Sequence, residues 1–158
     1  MPDLPVGLWT PPMKVFIKNK QRALALSHER KKICQLVHFV LEEENRSCDE
    51  VGIFFITDAA MRKLHKTYFN DDSSTDCITF PLDDAPSAGS TYLGDLFVCP
   101  EVALSHKNPY KEVTLYIVHC LLHLLGYDDI DKALRRCMIA RQTSLMKKLE
   151  RKGLVLHA

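Results

Sequence analysis

His119, His123 and Asp129 are the residues of this chain whose types and spacing can do chemistry. They lie in the run HCLLHLLGYDDI, residues 119–130. Histidines four apart on a helix share one face, one turn above the other. Gly126 is a helix stop, and a short acidic turn with Asp128 and Asp129 follows it. Two imidazoles and a carboxylate just past the helix end can reach one divalent cation. Two His and one carboxylate, with a fourth position left for water, is a catalytic zinc set. A lone His on an apolar helix is ordinarily a hydrogen-bonded core residue. Here the helix expected at 112–125 is apolar nearly all round and should be buried. Two buried imidazoles on one stripe need partners or a metal, and the carboxylates that follow favour a metal. The expectation is one Zn²⁺ per chain, or another divalent ion, on His119, His123 and Asp129. Asp128 either accepts the outer N–H of a ligand imidazole or is plain turn chemistry.

A Lewis-acid metal at such a site can polarise a phosphoryl oxygen, activate water, or do both. Residue 120 is Cys, so the H-E-x-x-H pattern is absent and a peptidase reading loses its usual base. Thr75 can offer a hydroxyl to a phosphate or merely cap a strand. Asp76 and Asp95 are expected at turns or strand ends, where either can line the cleft. His106 is expected at the surface, and His28, His38, His65 and His157 show no partner pattern. Residues 132–152 carry eight basic side chains against Glu150, a net +7. Such a run is either a solvated helix face or a surface for phosphate backbone. In the second case Arg135, Arg136, Lys147 and Lys148 are the RNA-binding candidates.

Several elements must position these groups. Residues 1–12 contain four prolines and read as an irregular tail. Residues 13–17 form a short strand candidate, and a helix runs from 27 or 28 to about 44 with Ile33, Leu36, Val37, Val40 and Leu41 at helical spacing. After a turn at 45–49, residues 51–57 (VGIFFIT) are nearly all apolar, which marks a buried central strand. Thr57 or Asp58 caps a helix over 59–68. A polar loop at 70–74 leads to a strand at 76–80. An acidic, small-residue turn spans 83–90, and another strand spans 91–99. Pro100 opens a short helix at its first position, and Pro109 precedes the histidine helix. The last helix covers 131–151 with Leu134, Met138, Leu145 and Leu149 on its apolar stripe. The pattern predicts a single α+β domain over 13–158, a small mixed β-sheet of about four strands packed by about five helices.

Three segments in register resemble the YbeY family, metal-dependent ribonucleases of ribosomal RNA maturation. Ser74-Thr75-Asp76-Cys77-Ile78-Thr79-Phe80-Pro81 is similar to that family's P-T-D-V-L-S-F-P. Leu93-Gly94-Asp95-Leu96-Phe97-Val98-Cys99 is similar to its L-G-D-I-x-I-C, and His119 to Asp129 to its H-G-x-L-H-L-x-G-Y-D-H. The resemblance covers about residues 13–150. It implies a small-sheet α+β fold, a zinc-type metal on three side chains, and cleavage of single-stranded RNA in the cytoplasm. It also implies a metal-activated water attacking the phosphodiester, with ribosomal RNA and the small ribosomal subunit as partners. Three departures stand out: Asp129 replaces the third His, Cys120 replaces a Gly, and Phe69 stands where an Arg usually follows Tyr68. Asp129 lowers the site charge by one and suits a harder metal. Losing the Arg removes a cation from the phosphate, so hydrolysis is expected to be weak. Arg62, Lys63 or Lys66 are the nearby substitutes.

Bulk properties fit this picture without deciding it. A chain of 158 residues with 46% hydrophobic and 26% charged residues is long enough for one cored domain. A net charge of +1 announces no nucleic acid by itself. Six cysteines without a C-x-x-C pair, no basic-then-apolar start and no apolar run of membrane length point to a reduced, cytoplasmic setting. No nucleotide cofactor is expected. Two alternatives stay open: a weakly catalytic or non-catalytic RNA-binding assembly factor with a structural metal site, and another small zinc hydrolase.

Overall fold

The computed structural model describes residues 13–82 and 91–158. The expected tail at 1–12 and the turn at 83–90 lie outside them. Strand β1 covers Lys14–Asn19, β2 Glu50–Phe55, β3 Cys77–Pro81 and β4 Tyr92–Val98. The α-helices are α1 Arg30–Glu43, α2 Asp58–Phe69, α3 Pro100–Ala103, α4 Pro109–Leu124 and α5 Lys132–Lys152. One 3-10 turn, Ser27–Glu29, leads into α1. The fold is α+β with a mixed sheet in the order β1-β2-β4-β3. The first three strands are parallel neighbours, and β3 closes the edge antiparallel to β4.

Side chains alternate across the sheet, as the pleat requires. Val51, Ile53, Phe55, Leu96 and Val98 enter the main core with α1, α4 and α5. Phe54, Ile78, Phe80 and Phe97 face the other way, into a smaller cluster with Met61 and Leu64 of α2. Gly52 is dictated by close approach: a Cβ there would sit 2.4 Å from Asp95 Oδ1. Asp95 itself accepts from the Tyr92 hydroxyl, so the carboxylate of the L-G-D segment is a strand fixture. Gly94 runs at φ +144° where β4 passes β3, and a Cβ would meet the Phe80 carbonyl at 2.6 Å.

The histidine helix starts three residues earlier than expected. Asn108 caps it by accepting from Lys111 N–H at 3.2 Å, and Pro109 is its first residue rather than its predecessor. Val113, Ile117, Val118, Leu121 and Leu122 are fully buried. Each such burial stabilises by about 1.5–3 kcal/mol, so the helix that presents His119 and His123 is firmly seated. Helix α5 begins at an Asp131 cap and ends at Gly153 in the left-handed region. Its stripe is buried at Met138, Leu145 and Leu149, but Leu134 is 45% exposed. Residues 131–137 are all exposed, so the start of α5 projects past the layer it packs on, and helical spacing alone misassigns Leu134.

Candidate metal centre

Helix α4 sets the two imidazoles on one face, and their rings stand 4.7 Å apart between centroids at 83°. The backbone carbonyl of Tyr127 accepts from His123 Nδ1 at 3.2 Å. A carbonyl can only accept, so the neutral ring carries its proton on Nδ1 and a lone pair on Nε2. His119 Nδ1 meets Gln142 Oε1 of α5 at 2.8 Å, which fixes the same tautomer. The two Nε2 atoms then face each other at 3.1 Å. Two ring nitrogens at that separation can share one cation. Asp129 completes the group: its Oδ2 is 3.9 Å from His123 Nε2, and the ligand atoms of all three residues lie within 4.8 Å of one another. Tetrahedral zinc with bonds of about 2.0–2.1 Å sets ligand nitrogens roughly 3.3 Å apart, close to the imidazole spacing. The Asp129 side chain stands wider and is 48% exposed, so it has room to adjust. Both the donor chemistry and the spacing of the donor atoms fit a divalent cation.

The outer hydrogen bonds separate the two readings of Asp128. Asp128 does not receive an imidazole N–H. Its Oδ1 accepts from the backbone N–H of Asp129 at 2.7 Å, which is turn chemistry. Gln142 and the Tyr127 carbonyl take the orienting role instead. The chain turns so sharply at Gly126 (φ +104°) that the Tyr127 carbonyl points back at His123. Tyr127 is in turn tied to α1, its hydroxyl donating to Glu44 at 2.8 Å. Burial, and then that hydrogen bond, push the Tyr127 phenol above its ordinary range.

The three side chains open on a cavity of about 500 Å³. Thr75 and Asp76 line it, as do His65 and Phe69 from α2. Cys77 and Cys120 lie in its wall, and the Cys120 thiol beside it, together with burial, holds the Cys77 thiol well above the ordinary range. No Lys or Arg is among the described residues that line this cavity. Arg62, Lys63 and Lys66 are not in it. Arg62 binds Asp58 at 2.8 Å and the Asp72 carbonyl at 3.4 Å. Arg135 Nη2 donates to the Asp129 carbonyl at 3.4 Å. A smaller cavity of about 290 Å³ shares Asp76 and His119 with the first. His106 lines it, 3.7 Å from Glu112.

The other basic candidates are spread along α5. Arg136 is exposed, and Lys147 borders a groove between α4 and α5. Lys148 pairs with Glu43 at 2.7 Å, and Arg141 pairs with Glu44. Part of the +7 therefore docks α5 on the acidic end of α1. Sequence reasoning missed Gln142, although it carries a signal: residues 138, 142, 145 and 149 follow helical spacing, and 142 is the polar member of that apolar row.

A model of the Endoribonuclease YbeY family matches residues 15–150. The chain belongs to the YbeY endoribonuclease family. An Endoribonuclease YbeY of Protochlamydia amoebophila (strain UWE25) is 48% identical over 124 residues, covering 73% of this chain and 82% of that one. The one from Chlamydia muridarum is 36% identical over 152 residues, covering 91% and 92%. The solution structure of TM1509 from Thermotoga maritima superposes with a TM-score of 0.63 at 18% identity, over 89% of this chain and 91% of that one. At that identity the likeness speaks for the fold. In this YbeY-family chain the cleft beside the His-His-Asp group is walled by neutral and acidic side chains. No helix among the described residues is long and apolar enough to cross a membrane.

Proposed function

We propose that this protein is a divalent-metal-dependent endoribonuclease for single-stranded RNA, acting in the cytoplasm on ribosomal RNA during maturation of the small ribosomal subunit. What supports the reading is one observation: two imidazole Nε2 atoms 3.1 Å apart and a carboxylate converge at a cleft, in a chain of an endoribonuclease family. His119, His123 and Asp129 would hold the ion, and Zn²⁺ is the first candidate for a mixed nitrogen and oxygen set. When bound, such an ion supplies a Lewis acid for a phosphoryl oxygen and lowers the pKa of water. Gln142 and the Tyr127 carbonyl keep each imidazole in the tautomer that can ligate. Thr75 offers its hydroxyl to the phosphate from the opposite wall, and Arg135 offers a guanidinium beside Asp129. Arg136 and Lys147 extend the contact to the RNA backbone, with Lys148 contributing only after it leaves Glu43. The catalytic unit is the domain over 13–158.

The lack of a lining cation favours slow turnover, which keeps an RNA-binding assembly role as the second reading. Incubation with single-stranded RNA, with and without a chelator, separates the two. Cleavage that a chelator stops, that added Zn²⁺ or Mn²⁺ restores, and that His123→Ala lacks is the expected result. RNA that is bound but never cut, with any of these ions, supports the second reading. Cleavage indifferent to both chelator and His123→Ala would contradict the metal-dependent account.

A further inference from the structure

We infer that Phe69 is a stacking platform for one unpaired RNA base beside the bond that is cut, so that it selects nucleotides free of a partner strand. The inference rests on the ribonuclease reading above. Phe69 is the last residue of α2, and it is 55% exposed. A single exposed Phe is ordinary. This one is unusual in its place, because it lines the same cavity as His119, His123 and Asp129.

Its ring is also backed by a fixed support. Asn70, in the left-handed region at φ +53°, turns the chain away just beyond it. His65 lies one turn earlier, its ring 5.6 Å from that of Phe69 at 57°. The Ser73 carbonyl holds His65 Nδ1 at 3.0 Å, and Ser73 N–H donates to Asp71 at 2.9 Å. Next to it Tyr68 packs edge-on against Phe80 at 4.9 Å. The Phe69 ring is thus braced by His65 while the residue fronts the cavity.

The chemistry of the cavity then chooses the occupant. With no Lys or Arg among its described lining residues, phosphate charge is not what this wall recognises. A flat aromatic beside a ribonuclease site offers π-stacking, which every base can use and which needs a free base face. In a duplex that face is covered, so stacking here discriminates by strand state rather than by sequence. A volume of about 500 Å³ lies in the range that holds a small ligand.

A cycle of protein and substrate changes tests this. Cleavage kinetics are measured for a short single-stranded RNA and for the same RNA with the base removed from the nucleotide next to the cut. Wild type, Phe69→Leu and Phe69→Tyr are compared at equal metal content and after a check of thermal unfolding. Phe69→Leu should raise KM on intact RNA about tenfold and Phe69→Tyr by less than about twofold, in keeping with one stacked base. The abasic RNA should cost the wild type about tenfold and cost Phe69→Leu nothing further. Full activity in Phe69→Leu, or an abasic penalty that persists in it, overturns the platform while leaving the ribonuclease reading standing. A wild type that neither cuts nor binds either RNA overturns both.

Discussion

Gln142 is 23 residues from His119 in sequence, yet it decides which nitrogen of His119 is available. Its side-chain oxygen accepts from the Nδ1 N–H, which turns Nε2 toward its counterpart on His123. Replacing Gln142 with Leu keeps the volume of that row on α5 but frees the imidazole to rotate or change tautomer. Loss of such an orienting partner weakens metal binding by about 10- to 100-fold. Competition against a chromophoric chelator reads this, and an unchanged affinity would mean that helix packing alone orients His119. The grouping of His119, His123 and Asp129 could be read from the sequence because its geometry is local: a four-residue step on one helix and a stop at Gly126, three residues before Asp129. Gln142 was not, because its role depends on which face of α5 meets α4.

Helix α2 and the loop behind it show the same logic one level up. Asp58 accepts from Ser74 Oγ at 2.5 Å and from Arg62 at 2.8 Å, so the first turn of α2 clasps the far end of the 70–74 loop. Those two hydrogen bonds, Ser74 first, hold the Asp58 carboxyl below the usual carboxylate range. Because the folded value is the lower one, acidification favours the unfolded chain at this site. The stabilisation is present above the unfolded pKa of about 3.9 and fades as pH falls through the folded value. Asp58→Asn should therefore lower the melting temperature near neutrality, with a gap to wild type that narrows as the pH falls below the unfolded pKa of about 3.9. A gap that stays constant with pH would mean the clasp does not depend on the carboxylate charge. The acidic run at 42–44 could be seen in the sequence, and so could the basic helix. Their meeting, Glu43 with Lys148 and Glu44 with Arg141, could not, because nothing local says that α5 returns along α1. The exposed Leu134 has the same cause, since spacing reports a face and not where the neighbouring layer ends.

At the scale of the whole molecule, the sheet order puts β3 at the edge, with its own start, Cys77, in the cavity wall beside Cys120 of α4. The cleft is thus built from an edge strand, the end of α2, the face of α4 and the turn before α5, which come from two stretches of the chain, 65–79 and 119–129. The α+β class and the continuous apolar run of the central strand followed from the pattern of residues. The order β1-β2-β4-β3 did not, because strand patterning marks faces and leaves neighbours open. All of these pieces converge on one claim: that His119, His123 and Asp129 hold a single divalent ion. Native mass spectrometry after equilibration with Zn²⁺ tests it most directly, on the wild type and on His119→Ala with His123→Ala. One ion per chain in the wild type and none in the double variant is the expected result. Equal metal content in both proteins would contradict the account.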